Sequence, residues 1–78
     1  MHFDPDNKVV QLCAQGMGFE GEGDMAQAKK SFLNAWAEAT TDLEKFTSAH
    51  YVARHQDSAL EKLKWDETAL NFALKIEN

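Results

Sequence analysis

The chain has a single cysteine, Cys13, so no disulfide can form within it. It has a single proline, Pro5, and four glycines. All four glycines lie between Gly16 and Gly23, which marks one interruption followed by long segments free of helix breakers. β-Branched residues are few and scattered, which excludes a sheet. No apolar run approaches the roughly 20 residues of a membrane span, and the N-terminal stretch is polar and acidic, unlike a signal peptide. Positive charge is scarce too. Eight Lys and Arg against thirteen Asp and Glu leave a net charge of −5, which argues against a nucleic-acid partner. A free thiol without an export signal fits a reducing cytoplasm.

What remains is a small chain that must fold by helix packing, by association, or by both. Its apolar residues recur with helical period. Asp4 as N-cap with Pro5 at the first helical position opens a first helix. Val9, Leu12, Cys13, Gly16 and Phe19 then form one face, and Gly21 and Gly23 end it. Asp24 caps a second helix carrying Met25, Ala28, Phe32, Ala35, Trp36 and Ala39 on one side. So short a connection requires an antiparallel hairpin.

Thr41-x-x-Glu44 is a capping box that starts a third helix, with Leu43, Phe46, Ala49, His50 and Ala53 as its periodic face, running to Arg54 or His55. Asp57 or Ser58 caps a fourth segment, Ala59 to Ile76. That segment has one stripe of Leu60, Leu63, Leu70 and Leu74, and a second of Trp65, Ala69, Phe72 and Ile76. One long helix is expected, the alternative being a break at Lys64-Trp65 with Asp66 as a new cap. The fold class is all-α, a single domain over residues 1–78 made of two antiparallel helix hairpins.

Sliding the chain against itself by 34 residues brings the first helix onto the third, with Leu12 on Phe46, Gly16 on His50 and Phe19 on Ala53. Leu12, Gly16 and Phe19, the turn Gly23-Asp24, and then Ala28, Phe32 and Ala35 follow the helix A and helix B pattern of a known family. On these residues the first hairpin resembles a tetratricopeptide repeat. The resemblance implies one unit over about residues 5–39 and a second over about 41–77, together resembling an α–α superhelix. The second unit departs from the pattern. His50 and Ala53 replace the small and aromatic residues, and Lys62 and Asp66 fall where alanine and an aromatic belong. A further shift of seven recovers Ala69, Ala73 and Ile76, so the second unit is degenerate. The stretch Ala49 to Gln56 is also similar to that of small bacterial repeat-like proteins of unassigned function.

Nothing in the sequence makes a catalytic set, and no enzyme activity or cofactor is expected. His50 and His55 stand about 140° apart around a helix, unsuited to one metal ion, and no metal is expected. Cys13 lies on the apolar face, where a free cysteine behaves as a small hydrophobe. The glycine-rich stretch from Gly16 to Gly23 lacks a preceding strand and a following Lys-Ser/Thr, and its glutamates would repel phosphate.

The resemblance implies instead that helix A of each unit lines a groove for a peptide or protein partner. Carried over residue by residue, the groove comprises Val10, Cys13, Met17 and Glu20, then Glu44, Thr47, Tyr51, Arg54 and His55. Tyr51 and Arg54 are the types most often dominant in interfaces. A repeat stack needs capping helices or about three units to cover its ends, and none follows the fourth segment in the sequence. The stripe of Trp65, Ala69, Phe72 and Ile76 is therefore expected to pack against another copy, giving a homo-oligomer such as a dimer, or against a C-terminal continuation of the chain. The alternative function is a small helical regulator or enzyme subunit that binds a small ligand at the face of His50, Tyr51, Arg54 and His55.

Overall fold

A computed structural model describes residues 6–76. It contains four helices in order: α1 (Lys8–Gly21), α2 (Met25–Glu38), α3 (Asp42–Ala53) and α4 (Ala59–Ile76). There is no strand among the described residues. None of the helices is long and apolar enough to cross a membrane. The closest neighbours are α1 with α2 and α3 with α4, as two hairpins require, and α2 with α3 joins them.

Local chemistry sets most helix ends. At the end of α1, Gly23 has φ +80, a left-handed conformation that glycine adopts without a Cβ penalty. Asp24 N–H then donates to Phe19 O at 2.9 Å and Gly23 N–H to Glu20 O at 3.1 Å, the paired bonds of a Schellman turn. The Asp24 carboxylate in turn accepts from Gln27 N–H at 3.2 Å and starts α2. One residue thus closes one helix and opens the next.

The capping box of α3 is complete. Thr41 Oγ1 accepts from Glu44 N–H at 3.1 Å, and Glu44 Oε1 accepts from Thr41 N–H at 3.3 Å. Ser58, rather than Asp57, caps α4 by accepting from Glu61 N–H at 3.0 Å. The helix then runs unbroken through Lys64-Trp65.

The start of α1 differs from expectation. Asp4 and Pro5 lie outside the described residues, and the observed N-cap is Asn7. Its side-chain oxygen accepts from Val9 N–H at 2.7 Å and Val10 N–H at 3.2 Å. Its Nδ2 donates to Glu44 Oε2 at 2.6 Å, so a residue of α3 helps to fix where α1 begins.

The core is built from small residues around one large one. Phe32 is fully buried among Leu12, Cys13, Ala28, Ala35 and Val52. Gly16 makes room for its ring, since a Cβ at that position would stand 2.4 Å from Phe32 Cε1. The other face of Phe32 is covered by Tyr51, stacked at 4.8 Å with rings 10° apart.

The buried side of α3 is rotated from the expected one. Ser48, Ala49, Val52 and Ala53 face inward and His50 is exposed, its ring 6.4 Å from that of Phe46. A buried serine is tolerated because its hydroxyl donates to Glu44 O at 2.8 Å within the helix.

The two stripes of α4 are also exchanged relative to expectation. Trp65, Ala69, Phe72 and Ile76, expected on an open side, are buried or half-buried. Trp65 and Phe72 meet Trp36 of α2 edge to face, at 5.2 and 6.0 Å between centroids. The exposed stripe is Leu60, Leu63, Leu70 and Leu74. Tryptophan and phenylalanine have more apolar area to bury than leucine, so the aromatic stripe turns inward.

Candidate functional site

Helices α1 and α3 lie side by side and run in the same direction, because α2 reverses the chain between them. Their contacts rise together along the sequence: Asn7 with Glu44, Met17 with Tyr51, Glu20 with Arg54. The last two pairs are each 34 residues apart, the offset at which the sequence matches itself. That register is therefore a physical alignment of two helices.

Between them runs a groove of about 240 Å³, lined by Val9, Val10, Cys13, Ala14, Met17, Glu44, Thr47 and Tyr51. Its surface is predominantly apolar, as a site for apolar side chains requires. Six of the nine residues nominated from sequence line it: Val10, Cys13, Met17, Glu44, Thr47 and Tyr51. Val9 and Ala14 were missed as lining residues. Val9 lies on the periodic apolar face of α1 that packs inward, and Ala14 continues the stripe of Val10 and Met17 on the next helical turn.

Polar clasps bound the groove at both ends. At the α1 N-terminal end, Glu44 accepts from Asn7 Nδ2, from Thr40 N–H at 2.9 Å and from Thr40 Oγ1 at 3.2 Å. The backbone N–H of Thr40, the Asn7 amide and the Thr41 N–H hold its carboxyl below the usual range, against a smaller opposing effect of burial. Glu44 is therefore a fixed anion already occupied by intramolecular donors.

At the other end, the three remaining nominated residues, Glu20, Arg54 and His55, form one cluster. Arg54 Nη2 donates to both carboxylate oxygens, at 2.6 and 2.7 Å, and His55 Nε2 lies 2.6 Å from Glu20 Oε2. The Arg54 guanidinium also lies 4.8 Å from the centre of the Tyr51 ring. Desolvation pushes the Glu20 carboxyl up, but the bonds and charges of His55 and Arg54 together hold it below its ordinary value of 4.5.

A lowered carboxyl pKa has a defined consequence for stability. The contribution of Glu20 is present above about pH 4.5 and is lost as pH falls through the lowered folded-state value. Acid titration of thermal stability is expected to show this loss. Glu20→Gln should be less stable at neutral pH and lose less below pH 4.5, with the acid limb of Glu44 still present. An acid limb of unchanged size in that variant would contradict the clasp.

Cys13 lies in the groove wall and is 4% exposed. Burial pushes its thiol up to about 11, so the protonated thiol prevails at neutral pH. Among the described residues, no three His, Cys, Asp or Glu side chains converge as metal ligands would. The side chains of His50, Tyr51, Arg54 and His55 are each engaged within the described residues. Arg54 and His55 hold Glu20, Tyr51 stacks on Phe32, and His50 points to solvent beside Phe46. Comparison with family models, curated proteins and solved structures finds no match to this chain.

Proposed function

We propose that this chain is a protein-interaction module whose α1–α3 groove receives apolar side chains of a peptide or protein partner. The observation that carries the reading is the groove itself. It is about 240 Å³ of apolar space, and the clasps at its two ends hold the helices apart at fixed spacing. A preorganised cleft lowers the ordering cost that binding must overcome. Met17, 44% exposed, and the half-buried Tyr51 offer a polarisable thioether and an aromatic edge to an incoming side chain. The pairing of residues 34 apart supports the tetratricopeptide-like reading, in which such a groove is the binding surface.

The same reading includes self-association, because Leu60, Leu63, Leu70 and Leu74 of α4 are exposed. A buried free thiol supports a cytoplasmic setting.

The test is selection from a random peptide library displayed on phage, with Met17→Glu as counter-target. Met17 is exposed, so a charge there leaves the core intact while making the groove repel apolar groups. Selected peptides are expected to have one or two large apolar anchors and to bind the Met17→Glu chain at least about tenfold more weakly. Peptides that bind both chains equally would remove the groove from the account.

A further inference from the structure

The exposed face of α4 repeats with a period different from that of an ordinary surface helix. Leu60, Leu63, Glu67, Leu70 and Leu74 are separated by three, four, three and four residues, the a and d positions of a coiled-coil seam. The four leucines are 53–61% exposed. Taking about 100° per residue, this seam lies roughly 160° around the helix from the Trp65, Ala69 and Phe72 side that packs on the chain's own core. One helix thus has two opposed apolar faces, of which the described residues cover one.

Glu67 is the informative residue. It stands at the centre of the leucine seam, is exposed, and makes no ion pair among the described residues. Lys64 flanks the seam, and its Nζ lies 3.6 Å from Glu61 in a solvent-exposed pair that competes weakly with other partners. A parallel copy would set Glu67 against the same carboxylate across the seam, which repels. An antiparallel copy, with its two-fold axis close to Trp65, sets Leu60 against Leu70, and Leu63 against Glu67, of the second copy. It also brings each Glu67 beside Lys64 of the other copy. Residue numbers facing one another then sum to about 130, and both charge pairs form at once, as an isologous interface demands.

We propose that α4 is a homodimerisation helix, pairing antiparallel with α4 of a second copy through Leu60, Leu63 and Leu70, with reciprocal Lys64–Glu67 pairs setting orientation and register. The proposal rests on the self-association reading and is independent of the α1–α3 groove, to which α4 contributes no residue. Three half-exposed leucines per copy make a small interface, so a dissociation constant on the order of 10–100 µM is expected.

Sedimentation equilibrium of the full chain from about 5 to 500 µM spans that range. Wild type should pass from monomer to dimer. Leu63→Glu and Leu70→Glu should stay monomeric with unchanged helical circular dichroism, since both positions are exposed. Lys64→Glu alone and Glu67→Lys alone should each weaken association by about tenfold, and the double variant should regain wild-type behaviour. Failure of the double variant to recover overturns the antiparallel pairing. A dimer indifferent to the leucine variants overturns the α4 surface and leaves self-association elsewhere. A wild-type monomer throughout overturns both, while leaving the peptide-selection result unaffected.

Discussion

Phe32→Ala is expected to cost about 3–5 kcal/mol, the range for removing a fully buried phenylalanine. A chain of this length has a total stability of about 4–12 kcal/mol, so the variant should be close to unfolded at room temperature. The ring is fully buried and lies 4.8 Å from Tyr51 and 5.4 Å from His55. It therefore supports α3 from inside and holds the residues that form the far wall and clasp of the groove.

Because Phe32→Ala is expected to be close to unfolded, the same contact is best read from its other side. A helical Gly→Ala change ordinarily stabilises by about 0.5–1 kcal/mol. At Gly16 the added Cβ would meet three Phe32 ring carbons at 2.4, 2.6 and 2.8 Å. Gly16→Ala should therefore destabilise by about 1–3 kcal/mol. Gly18, with nothing within 4 Å of a built Cβ, should show the ordinary gain. Combining Gly16→Ala with Phe32→Leu should cost less than the two added, since the smaller side chain vacates the contested space. Urea unfolding of these variants measures every value. Equal and favourable effects at Gly16 and Gly18 would contradict the packing of α1 on α2.

Trp36→Ala is expected to cost about 3 kcal/mol, near the lower end for a tryptophan because the ring is only half-buried. Trp36 is where α2 meets α4. Its ring takes the edges of Trp65 and Phe72 on one helix and the ammonium of Lys45, 4.1 Å from its centre, on another. Lys45 also donates to Trp36 O at 3.3 Å. Without the ring, α4 keeps α3 as its neighbour but loses its side-chain link to α2. Hydrogen exchange should show α4 amides losing protection before those of α1 and α2, with the emission of Trp65 moving to longer wavelength. Unchanged Trp65 emission, with a stability loss under about 1 kcal/mol, would contradict this anchoring role.

Where chemistry is local, the sequence was a good guide. Gly23-Asp24 and Thr41-x-x-Glu44 name their own helix ends, since a left-handed turn and a capping box depend on residues within five positions. The side-by-side alignment of α1 and α3 was legible as well, through the offset of 34. Applied to charged residues, the same offset would have paired Glu20 with Arg54 and shown the clasp in advance.

Long-range effects were not legible. The start of α1 is secured by Glu44, 37 residues away from Asn7. The choice between two apolar faces of α4 depends on where α2 places Trp36. The rotation of α3 that exposes His50 follows from Ser48 satisfying its hydroxyl within its own helix, so that a polar residue could take a buried place.

The central claim, that the α1–α3 groove is the binding surface, is tested most directly by chemical-shift mapping of the labelled chain with a peptide selected against it. Shifts are expected at Val10, Ala14, Met17, Thr47 and Tyr51, and they should vanish in Met17→Glu. Shifts confined to α4 or to the outer face of α2, with those five residues silent, would contradict it.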